Sequence, residues 1–373
     1  MKNRMELFEN APVWKAYFTI SLPVVFSMVV TLVYNMVDTF FVAGTQNASL
    51  VAGVSQCTPL FMLMLALGDI FGLGGSSLIS RLFGQKDDET ARNVSGFCFY
   101  AAIVCGLIVT VLMFAFQGPV LRVLGATSDT LKYASQYYFW IALGAPLIIL
   151  SLTPSNIIRT EGLAMQSMIA SVAGSILNIV LDPIFIFTLG MGAGGAALAT
   201  VLGYVLSDVL LVCYILRKSR HLTVSIRHAR VARKFVTSVF VIGIPASLTN
   251  LMQSYNIMVL NRHLISYGPK AVAAMGITMK VNMIIMMILV GFAFGAQPLI
   301  GYSYGAKDNK RLQKIIRFDL LVEVGFSALA AVFIIIFAPQ LIGMFMSDAS
   351  VVSYGTGMLR WFTLTTPFCG IVL

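Results

Sequence analysis

Long uncharged stretches alternate with short polar ones along the whole chain. Residues 16–37, 94–117, 133–158, 162–181, 235–261, 281–306 and 324–347 each run for at least 20 residues without Asp, Glu, Lys or Arg. About 20 apolar residues make a helix that crosses a bilayer, and lipid offers the backbone no bonding partner but itself. Each stretch therefore predicts a transmembrane helix. Two longer stretches contain turns: 39–68 breaks near 44–49, and 183–207 breaks at Gly190-Met-Gly-Ala-Gly-Gly195. The expected spans are 14–43, 51–80, 93–117, 131–155, 163–188, 195–216, 236–260, 271–301, 315–339 and a last one starting near 351.

Composition agrees and adds exclusions. The 373 residues are 58% hydrophobic and 11% charged, against roughly 45–50% and 25% in soluble domains. A water-soluble enzyme is excluded. The cysteines (Cys57, Cys98, Cys105, Cys213, Cys369) sit inside apolar stretches without ligand spacing and read as small buried hydrophobes. Neither disulfides nor a structural metal is expected, and no cofactor. No Ser/His, Cys/His or HExxH set exists, so the chain is not read as an enzyme. Residues 1–15 are polar and mixed in charge, unlike a cleavable signal peptide.

The net charge of +10 is a topology signal and implies no nucleic acid. With a cytoplasmic N-terminus, the inside segments carry 19 Lys and Arg and the outside segments five (Arg122, Lys132, Arg262, Lys270, Arg360). Cytoplasmic loops hold the excess of Lys and Arg, so the N-terminus is expected inside a cell (inner) membrane protein of multi-pass type. The basic run 217–234 reads as a connector lying against anionic headgroups.

Self-similarity appears at an offset of about 219–222 residues. Leu22-Pro23 matches Ile244-Pro245, and Phe83-Gly84-Gln85-Lys86-Asp87 matches Tyr304-Gly305-Ala306-Lys307-Asp308. Pro119-Val-Leu121 matches Pro339-Gln-Leu341, Ser128-Asp129 matches Ser347-Asp348, and Ala145-Pro146 matches Thr366-Pro367. Six helices is an even number, so the copies point the same way and relate by an axis along the membrane normal. The fold class is then an all-α polytopic membrane protein of two parallel-repeat six-helix bundles. Twelve spans are expected and about ten are present, as in a chain truncated at its C-terminus. The expected division is a first bundle at 1–216, a basic cytoplasmic linker at 217–235, and a second bundle at 236–373 with about four of its six helices.

Ionisable groups at membrane depth are costly and read first as functional. Asp38 closes Tyr34-Asn35-Met36-Val37-Asp38 on the first helix, with Tyr34 four residues before it on the same face. Asn178 and Asp182 repeat that spacing on the fifth helix, and Pro183 frees a backbone carbonyl one turn earlier. Thr200 follows the glycine-rich start of the sixth helix. Two carboxylates, an amide and a hydroxyl suit a buried H+ or Na+ site, although either Asp could instead brace a helix. Asp69 serves a cavity or a brace, and Asp208, Asp319 and Glu323 read as helix-end, interface groups. Lys280 reads as cavity lining or snorkelling. Tyr34, Asn35, Asn156, Gln253, Met283 and Met287 are candidates for a substrate cavity, the methionines because a polarizable lining suits varied apolar ligands. Core filling explains most methionines equally well. Pro23 and Pro245 predict matching kinks.

These residues together resemble the MATE (multidrug and toxic compound extrusion) family. The resemblance rests on Leu-Pro of helix one, Tyr-Asn-x-x-Asp38, Arg81-Leu-Phe-Gly84, Arg159-Thr-Glu-Gly162, Asn178-x-x-x-Asp182-Pro, Gly194-Gly-Ala196 through Thr200, and Gly291 to Gly305. It implies twelve helices in two bundles and export of cationic or amphipathic organic compounds by H+ or Na+ antiport. It also implies a cation site at Asp38, Asn178, Asp182 and Thr200, and a monomer whose partners are small organic cations and the lipid bilayer. Gln253 stands where one branch has an acidic residue, so the chain looks DinF-like. The alternative is a lipid-linked oligosaccharide flippase of the same superfamily, whose cavity would be lined by several Arg and Lys for pyrophosphate.

Overall fold

Apolar runs of this length leave helix as the only way to satisfy the backbone in lipid, and the chain folds accordingly. The structure is a computed structural model that describes residues 5–264, 269–344 and 349–372. A short α1 (Met5–Glu9) leads into α2 (Val13–Gly44), α3 (Ala48–Gly84) and α4 (Asp88–Ala115). The short α5 (Gln117–Val123) precedes α6 (Leu131–Arg159), α7 (Ala164–Pro183) and α8 (Ala193–Lys218). Then come α9 (Arg233–Leu264), α10 (Pro269–Gly305), α11 (Asn309–Gly343), α12 (Ala349–Thr363) and α13 (Thr366–Val372). Eight of these are long and apolar enough to span a membrane among the described residues. The ten expected spans map onto α2, α3, α4, α6, α7, α8, α9, α10, α11 and α12.

Two details depart from the sequence reading. The last expected span is broken at Leu364-Thr365, because Pro367 at the start of α13 cannot continue a helix from behind. Its counterpart Pro146 stays inside an unbroken α6. Asp319 and Glu323 are not at a helix end: α11 begins at Asn309, several turns earlier, and Glu323 is buried.

The duplication is visible in backbone geometry. Lys86 and Lys307 follow α3 and α10 with φ of 60° and 57°, a left-handed turn uncommon outside glycine. In both, the next residue caps the following helix: Asp87 accepts from the Thr90 amide at 3.1 Å and Asp308 from the Arg311 amide at 3.0 Å.

In the first bundle α6 is the central post, packed by α3, α4 and α8. Tyr138, Ile141, Ile148, Ile149 and Ile158 on it are fully buried. Apolar side chains on the outside, such as Phe40, Val111 and Leu329, are exposed and form the surface that meets lipid.

The two bundles meet along a seam of α2 and α3 against α9 and α10. Backbone touches backbone there. A Cβ on Gly84 would lie 2.6 Å from the Ala306 amide nitrogen, one on Gly305 2.7 Å from the Arg81 carbonyl carbon, and one on Gly291 2.7 Å from Val25 Cα. Gln297 donates to the Leu73 carbonyl at 3.4 Å, and Arg81 stacks over the Tyr304 ring at 5.2 Å. Arg311 donates to the carbonyls of Leu7 and Ala11, which ties α1 and its turn to the second bundle. Among the described residues, these bonds and approaches all lie toward the end of the molecule that carries α1 and the α3–α4 and α10–α11 turns.

Candidate functional site

Three helices of the first bundle bring the predicted polar residues together. Gly174 and Gly203 let α7 and α8 approach so closely that a Cβ on Gly203 would stand 3.3 Å from Asn178 Cβ. Asn178 therefore reaches α8 and donates its side-chain amide to Thr200 Oγ1 at 3.3 Å. One turn on, Asp182 is the penultimate residue of α7. Pro183 has no N–H, which releases the Ile179 carbonyl, and the chain runs on as a π-helical turn over Ile184–Thr188. On the facing α2, Tyr34 and Asp38 are spaced by one turn. The Asp38 and Asp182 carboxyl groups lie within hydrogen-bonding reach of each other.

The pair is poorly bonded, with Asp182 fully enclosed and Asp38 half-buried. Asp182 has no exposed surface, Asn178 is 2% exposed and Thr200 4%. Neither oxygen of Asp182 receives a hydrogen bond, and the same holds for Asp38 Oδ1 and Asn178 Oδ1. Leaving an ionised carboxylate dry and unpaired costs several kcal/mol. Among the described residues no lysine or arginine pairs with either group. A proton shared between the carboxyls, or a small monovalent cation among Asp38, Asp182, Asn178 and Thr200, would satisfy them. That donor set of oxygens fits such a cation.

Some candidates fall elsewhere. Asn35 is exposed on α2, and its carbonyl accepts from the Thr39 hydroxyl. Asn156 is buried but bound into another network: its amide donates to the Leu152 carbonyl at 2.8 Å and its oxygen accepts from Arg159 at 3.3 Å. Met283 and Met287 stand one turn apart on α10 in the second bundle, the first exposed and the second half-buried. The side chain of Gln253 lies outside the described residues. Lys280 is exposed, consistent with snorkelling.

Sequence reasoning missed three polar residues in and beside the site. Tyr137 of α6 lies near the carboxylates, and it and Tyr204 of α8 flank Tyr34. Asp208, read as an interface residue, is instead 4% exposed in the middle of α8, with neither oxygen bonded. A signal existed for two of them. Thr200, Tyr204 and Asp208 recur every four residues, which puts all three on one face of α8.

Comparison with known proteins agrees with the resemblance. The MatE family profile matches residues 23–184 and 245–373. A multidrug export protein, MepA of Staphylococcus saprophyticus, is 31% identical over 353 residues, which is 95% of this chain and 78% of that protein. MepA of Staphylococcus aureus is 32% identical over 356 residues, again 95% and 78%. A multidrug resistance MATE family transporter of the MOP superfamily, solved in its outward-facing conformation, superposes with a TM-score of 0.90 at 30% identity, over 99% of this chain and 83% of that one. Two profile segments in tandem, relatives over nearly the whole chain and the same two-bundle fold lead to one conclusion: the chain belongs to the MATE family.

Proposed function

We propose that this protein is a secondary active multidrug exporter, which moves cationic or amphipathic organic compounds out of the cell in exchange for H+ or Na+. The observation that carries the coupling is the pair of buried Asp182 and half-buried Asp38, donor-starved, beside Asn178 and Thr200. The similarity to MepA multidrug export proteins supports the cargo class. The first bundle would comprise 1–216, the linker 217–235 and the second bundle 236–373, working as a monomer without a cofactor. The excess of Lys and Arg supports a cytoplasmic N-terminus. The closed seam then faces the cytoplasm, and cargo would leave from the other side.

Occupation of the site by a cation removes the repulsion between the two carboxylates and lets α2 pack more tightly on α7. Pro23, inside α2, is where that helix would bend. Cargo and cation then compete for one conformational equilibrium, and each drives the other out. The multidrug export relatives support this cargo over a lipid-linked oligosaccharide.

The test is dye efflux from cells expressing the chain. Wild type should extrude, and Asp38→Asn with Asp182→Asn should retain dye like cells without transporter. Full efflux by the double variant would refute the coupling. Vesicles with an imposed pH gradient, or an imposed Na+ gradient, separate the ions: the gradient that drives uptake identifies the partner.

A further inference from the structure

A second pair of carboxylates, Glu323 buried and Asp319 half-buried, lies far from Asp38 and Asp182. Asp319 and Glu323 stand one turn apart on α11, on one face. Tyr17 of α2, itself fully buried, reaches across the seam and donates its hydroxyl to Asp319 Oδ1 at 2.7 Å. Its ring is fixed by Phe292 of α10, stacked at 6.2 Å between centroids, and by Phe318 of α11, edge-on at 5.2 Å. Glu323 is 1% exposed and its Oε1 has no partner. Ser21, one turn beyond Tyr17 on α2, is also fully buried with an unpartnered hydroxyl. The backbone of Gly370 on α13 closes over the Glu323 carbonyl.

Among the described residues no cation compensates the pair. From α2 the facing groups are Tyr17 and Ser21. From α10 it is Phe292, since Lys280 is exposed about three turns away. On α12, Arg360 donates to the Ile335 carbonyl, far along α11 from Glu323. Arg317, on α11 itself, is exposed. Two like charges one turn apart in an enclosed site, with one hydroxyl donor between them, cannot both be held ionised cheaply.

We propose that Asp319 and Glu323, capped by Tyr17, form a second proton-binding site that exists only while the seam is closed. Its elements come from both bundles. When α2 parts from α11, water solvates both carboxylates and outweighs the loss of the Tyr17 donor, so the proton leaves to that side. A proton bound better by the closed form must by linkage favour the closed form. Acid therefore holds the seam shut and alkali loosens it. The proposal requires the bundles to part at the seam; it does not require Asp38 and Asp182 to carry the coupling ion.

Spin labels at Glu89→Cys on α4 and Lys314→Cys on α11, both exposed, with the native cysteines replaced by alanine, report the gap across the seam by electron–electron double resonance. The full chain is measured in lipid nanodiscs from pH 5.5 to 8.5 without Na+. In an Asp38→Asn, Asp182→Asn background the open-seam population should still rise with pH, by roughly fivefold or more. Adding Asp319→Asn and Glu323→Gln should hold the seam closed at every pH. A pH response lost with Asp38 and Asp182 alone, or one that survives neutralisation of Asp319 and Glu323, overturns the proposal. If the neutralised variant fails to give a monodisperse protein, Tyr17→Phe decides. Removing the donor that favours ionised Asp319 should move the midpoint of the response to higher pH, and an unmoved midpoint overturns the proposal.

Discussion

Gly305→Ala adds a single methyl group where α10 crosses α3. That Cβ would overlap the Arg81 carbonyl oxygen and lie 2.7 Å from its carbon and 2.8 Å from its Cα. All three are backbone atoms at the end of the seam where α3 and α10 terminate, so no side chain can rotate away. Overpacking of this kind typically costs about 1–3 kcal/mol. Only the closed seam bears it, because separation of the bundles removes Arg81 from reach. The gain in helix propensity, about 1 kcal/mol for Gly to Ala, is present in both states and cancels. The closed-to-open ratio should therefore fall by roughly 5- to 150-fold. The label pair on α4 and α11 measures it directly as a shift of population to the longer distance. Gly84→Ala, whose Cβ would meet the Ala306 amide of the same crossing, should act in the same direction, and the pair should add less than the sum because they relieve one contact. Gly276→Ala is the control: it lies on α10 too, but a Cβ there meets nothing within 4 Å, and its distribution should match wild type. A wild-type distribution for Gly305→Ala would refute the idea that backbone contact sets the closed state.

Other outcomes test other parts of the structure. The exchange of Asp38 and Asp182 for Asn should abolish efflux, and neutralising Asp319 and Glu323 should remove the pH response of the seam, as set out above. Arg159 is buried and its guanidinium reaches Ser167 Oγ, Ser155 Oγ and Asn156 Oδ1 at 3.2–3.3 Å. A lysine ammonium cannot reproduce that fork, so Arg159→Lys should cost roughly 2–3 kcal/mol, and an unchanged melting temperature in detergent would count against the network. Glu161, in the turn after α6, accepts from Ser219 Oγ and the His221 amide, both at 2.9 Å, and holds the connector onto the first bundle. Burial raises its pKa above the ordinary 4.5 despite those bonds. The docked form therefore binds a proton better than the free form. Docking should be firmest below that ordinary value and weaken as pH rises through the window above it, which hydrogen exchange of residues 219–225, corrected for intrinsic rates, would follow. Exchange that slows with pH would contradict it.

The spans were legible because lipid enforces one local rule, and uncharged length is enough to read it. The duplication was legible because Gly-x-Lys-Asp is a turn whose chemistry repeats as sequence. Asp38, Asn178 and Asp182 could be picked out because one-turn spacing on an otherwise apolar helix is a local pattern. Tyr137 could not, since α6 carries Tyr133, Tyr137 and Tyr138 together and nothing local says which faces the carboxylates. The Tyr17–Asp319 bond joins residues 302 positions apart, and no spacing rule reaches that far. Asp208 was read as a helix-end group although it stands mid-helix, with Thr200 and Tyr204 eight and four residues before it on the same face of α8. Asn156 has the right chemistry and depth, but no local pattern shows that its side chain binds the Leu152 carbonyl and Arg159.

A transporter must never be open to both sides at once, and the glycine contacts bear on that as an electrical matter. Where side chains close a gate, each rotamer change is a chance for water to thread through and carry ions. Along this seam the barrier includes main-chain atoms of α3 and α10 in van der Waals contact, which have no rotamers. Its tightness is then independent of what cargo waits on the other side, large or small. A protein that accepts many shapes of molecule keeps its insulation in the part of the structure that sees none of them.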